Sequence, residues 1–366
     1  MQPLVFEHLR RLPRHRPGQP VQEPGSTGIT WLADNGNPWG PAQAVRDRVL
    51  QAVTVDELRR YPPDGMPLRA AIAARRGVEA AQIILGNGSR EIIGIAARAM
   101  LMDGGSGLAF RHSFAAFGQA TQTAGGRFIE CHATDLEADA AHLLAAVQPD
   151  TRIVYLAHPN NPTGTLLEPE ALAHLAASLR GDILLVVDQA YAEYADPDTY
   201  PSATQHLGSR TNLLVLHTFS KIHGLAGLRI GYGITSPELA GLLERVRSPF
   251  NTNHLAQVAA EAAIRDEAFE VLSRARNREA RIAFRAEAER HPCRVSGQAG
   301  NFMLMETLFP AQELYRDLLR AGVAVCPLDG YGLPNHVRVA MGTPRDMEAF
   351  WKATGPILDN LGCGCP

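Results

Sequence analysis

The sequence predicts an α/β protein built on a mostly parallel sheet, with a smaller α/β unit at the C-terminal end. Three observations carry this. Between residues 82 and 188 the chain repeats strand, loop and helix. Its strand segments are apolar throughout rather than alternating, so both faces of the sheet are covered. After about residue 250, long helical stretches rich in Ala, Glu and Arg replace that alternation.

Taken in order, residues 1–40 hold many prolines and glycines and few periodic apolar positions, which reads as an arm lying across something else. It ends in Asp34-Asn35-Gly36-Asn37-Pro38-Trp39-Gly40-Pro41, a turn-rich segment whose exposed backbone amides suit the border of a site. A helix is expected over 42–53. Arg60-Tyr61-Pro62-Pro63-Asp64-Gly65 then makes a rigid turn into a helix near 68–76. A strand at 82–85 runs into Gly86-Asn87-Gly88-Ser89 and a helix over 90–102. Strands follow at 108–110, 127–131, 152–157 and 183–187, separated by helices at 114–123, 136–147 and 168–179. Apolar runs at 213–216 and 228–234 read as two more buried strands. Helices at 254–265 and 267–290 open the last part, with short strands at 302–305, 323–325 and 337–339. The chain thus divides into an arm (1–40) packing with the small domain, a large domain (41–250) and a small domain (251–366), without repeats.

The composition is ordinary for a globular protein: 366 residues, 45% hydrophobic and 20% charged, enough for one large and one smaller core. A net charge of −3 gives no reason to expect nucleic acid or an anionic membrane as partner. No apolar run reaches the ~18 residues that span a bilayer. The basic N-terminal segment is followed by no apolar region, so no secretory signal is expected. Five scattered cysteines, Cys131, Cys293, Cys326, Cys363 and Cys365, suit a reducing cytosol and a cytoplasmic location. Cys363-Gly364-Cys365 reads either as a metal or oxidation site or as a frayed tail.

The chemistry concentrates in His217-Thr218-Phe219-Ser220-Lys221-Ile222-His223-Gly224-Leu225-Ala226-Gly227-Leu228-Arg229, between two buried strands. A lysine there is either paired with an anion or held near neutrality for covalent chemistry, such as a Schiff base with the aldehyde of pyridoxal 5′-phosphate (PLP). Gly86-Asn87-Gly88-Ser89 lets backbone N–H groups and a hydroxyl approach a phosphate at a helix N-terminus, although a glycine loop also serves merely to turn the chain. It is neither a Walker A loop nor a GxGxxG fingerprint. Ser220 and Arg229 add a hydroxyl and a guanidinium fork. Asp188 either caps its strand or faces the pyridine nitrogen of PLP. Tyr191 and Asn161 are either structural or partners of the phenolic oxygen, and Phe114 is either core or a ring stacked on the pyridine. Their loops all follow carboxyl ends of strands, where ligands bind in such sheets.

These stretches resemble the fold-type I PLP-dependent aminotransferases, most closely the histidinol-phosphate aminotransferase group. The resemblance rests on Gly86-Asn87-Gly88-Ser89-Arg90-Glu91-Ile92-Ile93, His158-Pro159-Asn160-Asn161-Pro162-Thr163-Gly164-Thr165 and Asp188-Gln189-Ala190-Tyr191-Ala192-Glu193-Tyr194. It rests above all on the lysine stretch continued to Tyr232, with Tyr331-Gly332-Leu333-Pro334 and Val337-Arg338-Val339-Ala340-Met341-Gly342-Thr343 near the end. It implies that Lys221 holds PLP as a Schiff base and moves the proton at the substrate Cα. By the same resemblance Asp188 pairs with the ring nitrogen, Tyr191 and Asn161 with the phenolic oxygen, and Phe114 stacks on the ring. Ser89, Arg90, Ser220 and Arg229 hold the phosphate, the first two through their backbone. Tyr61 reaches the phosphate in the neighbouring subunit of a homodimer. Arg338 clamps the α-carboxylate of an amino-acid or keto-acid substrate, with the turn containing Gly36 and Asn37 closing over it. No metal is implied.

The substrate end departs from the group's pattern. Arg90 stands where an aspartate is usual, Val325-Cys326-Pro327 lacks the usual arginine before its proline, and His15-Arg16-Pro17-Gly18 lacks the usual tyrosine. Substrate-phosphate contacts are therefore expected to be altered, with Arg16 or Arg90 as candidates to compensate. The PLP residues alone also fit decarboxylation or amino-acid oxidation, against which Arg338 is the discriminator. A non-catalytic binding module predicts loss of Lys221, Asp188 or Arg229, and all three are present.

Overall fold

The computed structural model describes residues 6–10, 12, 28–133, 136–200 and 202–362, the side chains of 361 and 362 excepted. Helix α1 (Glu7–Arg10) and strand β1 (Thr30–Trp31) lead to α2 (Gln43–Ala52), α3 (Val55–Leu58) and α4 (Met66–Arg76). The alternating part follows as β2 (Ile83–Gly86), α5 (Ser89–Leu101), β3 (Ser106–Phe110), α6 (Ala116–Thr123) and β4 (Arg127–Cys131). It continues through α7 (Ala140–Ala145), β5 (Thr151–Ala157), α8 (Pro169–Ser178), β6 (Leu184–Asp188), β7 (Leu213–Thr218) and β8 (Gly231–Ile234). Three helices come next: α9 (Pro237–Glu244), α10 (His254–Ile264) and α11 (Glu267–Ala288). The last part comprises β9 (Cys293–Ser296), β10 (Phe302–Thr307), α12 (Ala311–Arg320), β11 (Val323–Ala324), β12 (Cys326–Leu328), β13 (Leu333–Ala340) and α13 (Pro344–Gly362).

Seven strands form one sheet in the order β2-β8-β7-β6-β5-β3-β4. Only β8 runs against the others, pairing antiparallel with β2 and β7. The lack of alternation in the strands has its expected meaning. Leu185 and Val187 of β6 pack towards α7 and α8, while Leu184 and Val186 pack towards α5, α6 and α9. A strand with both faces buried reads as a continuous apolar run because neither face offers a solvated position.

A third cluster covers the β2–β8 edge, where α2, α4 and α10 meet through Val45, Leu68, Ile72, Ala256 and Ala260. Helix α10, assigned to the small unit from sequence, therefore shares its apolar face with the helices of residues 43–76. The change of packing partner falls at α11, whose Phe284 joins the second core with Met303, Val337 and Phe350. That core backs a four-stranded antiparallel sheet, β12-β13-β10-β9. β1 pairs parallel with β11, and Leu32 enters the same core. No helix among the described residues is long and apolar enough to cross a membrane.

Two segments differ from the sequence expectation. The run 228–234 becomes strand only from Gly231, because residues 226–228 form a 3₁₀ turn and Arg229 adopts a left-handed backbone with φ 57°. The helix expected over 136–147 spans only Ala140–Ala145, preceded by Leu136 at φ 65°. In both cases the composition of the run did not reveal the left-handed residue that interrupts the regular backbone.

Candidate active site

The lysine loop leaves the carboxyl end of β7 and is tied back on itself. Thr218 Oγ1 accepts the Ser220 N–H at 3.1 Å, the Phe219 carbonyl accepts the Leu225 N–H at 3.0 Å, and the Lys221 carbonyl accepts the Gly224 N–H at 2.9 Å. Phe219 is fully buried and anchors the loop, leaving Lys221 half-buried. Its Nζ lies 5.4 Å from the centre of the Tyr191 ring and makes no hydrogen bond or ion pair among the described residues. The strand below is held by a buried charge network. Glu193 meets Arg76 at 2.5 Å and His217 at 3.1 Å, and Arg76 donates to the Tyr232 hydroxyl at 2.8 Å. Burial alone would raise the Glu193 carboxyl, but the His217 hydrogen bond and the Arg76 charge hold it well below the usual range. Breaking such a pair strands a buried charge, so it fixes β7 against the loop carrying Tyr191.

Beside the lysine, small residues open a cradle. Gly88 takes φ 77° before α5 begins at Ser89. A Cβ on Gly88 would lie 2.8 Å from an Arg229 terminal nitrogen, and one on Gly231 would lie 2.7 Å from the Ser89 nitrogen. Arg229 also donates to Ser220 Oγ at 3.3 Å. The left-handed turn at Arg229 is what swings its guanidinium over the amino end of α5. A hydroxyl, a cation and the N–H groups of a helix start thus converge, a donor set that fits a phosphate.

Asp188 closes β6 with 4% of its surface exposed, and its Oδ1 accepts the Ala190 N–H at 3.1 Å. Burial pushes its carboxyl up to about 7, with the Ala190 N–H and the Lys221 charge pulling the other way. A buried carboxylate without a cation in contact fits a protonated ring nitrogen. The Tyr191 hydroxyl receives Asn35 Nδ2 at 2.9 Å. Arg338 donates to Asn161 Oδ1 at 2.7 Å and to the Ala33 carbonyl at 3.0 Å, and its buried Nε has no partner among the described residues. A buried donor without a partner is rare, and this Nε–H fits a carboxylate acceptor. Donor set, cradle and acid together fit PLP.

The remaining sequence candidates are placed as follows. Asn37 Nδ2 donates to the Ile222 carbonyl at 2.7 Å and to Ser273 Oγ of α11 at 3.2 Å. The Gly36 carbonyl accepts Asn301 Nδ2 at 3.0 Å. Phe114 is half-buried, edge-on to Phe117 at 5.7 Å. The Arg90 side chain turns away to hydrogen-bond Gln119, leaving only its backbone near the cradle. Tyr61 is 81% exposed and stacks on Phe250 at 4.8 Å, apart from the other candidates. His15, Arg16, Cys363 and Cys365 lie outside the described residues. Sequence reading missed Asn35 as the Tyr191 partner, Asn301 as the pin of the turn, and Tyr331. The Tyr331 carbonyl lies 2.7 Å from His112 Nδ1, and burial pushes the Tyr331 hydroxyl up while the Arg338 charge pulls it back. Only the match at Tyr331-Gly332-Leu333-Pro334 hinted at it.

Known proteins are similar to this chain in sequence and in fold. The profile of "Aminotransferase class I and II" matches residues 27–353. Histidinol-phosphate aminotransferase 2 of Methylococcus capsulatus is 40% identical, covering 97% of this chain and 98% of that protein. The protein of the same name from Pseudomonas aeruginosa is 39% identical over 96% of both. The crystal structure of histidinol-phosphate aminotransferase from Sinorhizobium meliloti, in complex with pyridoxal-5′-phosphate, superposes with a TM-score of 0.85 at 26% identity, covering 91% of this chain and 92% of that one.

Proposed function

The chain belongs to the aminotransferase class I and II family, and from that premise we propose how its own residues carry out amino transfer with PLP as cofactor. When bound, PLP supplies an aldehyde for the substrate amine and a ring that accepts the electron pair left when the Cα proton departs. In this reading the Lys221 amine holds the cofactor, then takes and returns the proton at the substrate Cα. The Asp188 carboxylate keeps a proton on the ring nitrogen. Tyr191 and Asn161 hydrogen-bond the phenolic oxygen, and Phe114 covers one ring face. Ser220, Arg229 and the backbone N–H groups of Ser89 and Arg90 hold the phosphate. Arg338 receives the α-carboxylate of the amino or keto acid, and the turn bearing Gly36 and Asn37 closes the site against water. The observation that carries this is the gathering of Lys221, Asp188, Tyr191 and the Ser220–Arg229 cradle at the carboxyl ends of β6 and β7.

The donor is an α-amino acid or related amine and the acceptor a keto acid or aldehyde. Histidinol phosphate is the first donor to test, because it names the relatives. The working form is a cytoplasmic homodimer. Tyr61 would lie at the partner's phosphate cradle; it is exposed, as are the apolar side chains of Leu50, Val55 and Leu58 that precede it in the chain.

The decisive variant is Lys221→Ala. Purified protein with PLP should show a visible absorbance band that the variant lacks, and the variant should lose turnover with every donor. Turnover near the parental rate would remove Lys221 from this role. A donor screen against 2-oxoglutarate and pyruvate, scored by half-reaction spectra, identifies the substrates.

A further inference from the structure

The turn that ends the N-terminal arm is bonded to the candidate site at successive residues. The Ala33 carbonyl accepts Arg338 at 3.0 Å, and the Asn35 and Gly36 carbonyls each accept Asn301 Nδ2 at 3.0 Å. Asn37 Nδ2 donates at 2.7 Å to the carbonyl of Ile222, the residue after Lys221. These bonds hold the turn without the Asn35 side chain. That side chain is buried, with 4% of the residue exposed. Among the described residues its amide makes one hydrogen bond, from Nδ2 to the Tyr191 hydroxyl at 2.9 Å, and its Oδ1 is buried without a partner. Packing alone favours an apolar side chain there, because a buried oxygen left unpaired costs stability. Tyr191 is equally fixed: its ring is 5% exposed residue surface, edge-on to Phe302 at 5.2 Å, with Lys221 Nζ 5.4 Å from the ring centre. A phenol carries one proton and accepts through its lone pairs. With Asn35 donating to the oxygen, the Tyr191 proton is left for another acceptor, and no group among the described residues takes it.

We propose that Asn35 is a positioning residue for the cofactor: its N–H occupies the Tyr191 oxygen and so turns the Tyr191 proton towards the phenolic oxygen of bound PLP. The inference rests on the PLP reading above. Successive hydrogen bonds polarise one another, so the Asn35 N–H also strengthens the Tyr191 O–H as a donor. A bond given to the ionised phenolic oxygen weakens that oxygen's hold on the proton of the neighbouring Lys221 nitrogen. The pH at which the visible band of the loaded protein changes is thereby lowered.

The test is a pH titration of that band in PLP-loaded protein. Tyr191→Phe should raise the midpoint by about one unit or more, and Asn35→Ala by a smaller amount, about 0.3–1 unit. Asn35→Leu, which fills the volume of the amide without a donor, should match Asn35→Ala. Adding Asn35→Ala to Tyr191→Phe should move the midpoint no further, because the asparagine acts through the hydroxyl. Lys221, Asp188, Arg229, Arg338 and the Arg76–Glu193 pair are the same in every variant, and melting curves report folding. A midpoint unchanged in both Asn35 variants while Tyr191→Phe shifts it overturns the assignment. So does an Asn35→Ala shift that persists in the Tyr191→Phe background, which reports an opened arm instead. A midpoint unmoved by Tyr191→Phe itself removes Tyr191 from the phenolic oxygen, and the role of Asn35 falls with it. A parent that shows no visible band with PLP overturns the cofactor reading and the assignment together.

Discussion

At Asp188 burial and charge pull in opposite directions, and burial wins when no cofactor is present. A carboxyl whose folded pKa is raised to about 7 binds more protons in the native than in the unfolded state between about pH 4 and 7. Cofactor-free protein should therefore lose stability as pH rises through that window, by an amount on the order of a few kcal/mol. Asp188→Asn should flatten that part of the profile, measured by urea unfolding at several pH values. A slope identical in parent and variant would show that another group sets it. Loading with PLP should weaken the slope in the parent, because a protonated ring nitrogen favours the carboxylate. Asp188 was legible in the sequence because it ends a fully apolar strand. Its partners were not: Asn35 reaches Tyr191 across 156 positions and Arg338 reaches Asn161 across 177. Local pattern carries no trace of pairs so far apart.

Among the elements, the cradle depends on how closely β8 approaches the start of α5. A Cβ at Gly231 would meet the Ser89 nitrogen at 2.7 Å, with the Gly88 and His217 backbone each at 2.9 Å. Backbone cannot step aside as a flexible side chain does, so Gly231→Ala should push β8 away from α5. We expect a loss of about 1–3 kcal/mol in stability and a PLP affinity weaker by about tenfold or more, read by fluorescence titration of cofactor-free protein. Gly241→Ala is the control, because a Cβ there meets nothing within 4 Å on the surface of α9. It should leave affinity alone and add up to about 1 kcal/mol of stability through helix propensity. Equal PLP affinity in the Gly231 variant would mean that the approach is only packing. The same crowding explains why 228–234 did not extend as one strand: the chain must turn at Arg229 to bring its guanidinium to Gly88.

Over the whole molecule, several exposed apolar side chains fall within residues 50–61 and at Phe250, among the described residues. Val55 and Tyr61 are each 81% exposed, Leu50 72%, Leu58 63% and Phe250 58%. Exposed apolar patches mark association sites, and Tyr61 stacks on the exposed Phe250. Val55→Glu combined with Leu58→Glu should shift the protein from dimer to monomer in sedimentation experiments without lowering monomer stability, as neither side chain is packed. PLP affinity should fall in parallel if Tyr61 completes the partner's cradle. A dimer that persists with full affinity would locate the interface elsewhere. The arm turn is also a property of the whole. Asn37 bridges Ile222 of the lysine loop to Ser273 of α11, and Asn301 holds Gly36. One turn thereby couples the lysine to both cores.

The sequence by itself determined the sheet, its covered faces and the identity of most chemical groups. Burial pattern and glycine spacing are local properties, written within a few residues of where they act. Tertiary structure alone decided that α10 packs with α2 and α4, that Arg90 turns to Gln119, and that Asn35 meets Tyr191 while Arg338 meets Asn161. Each of these depends on which distant segments meet, and that follows from packing a whole chain into one volume rather than from any single stretch of it.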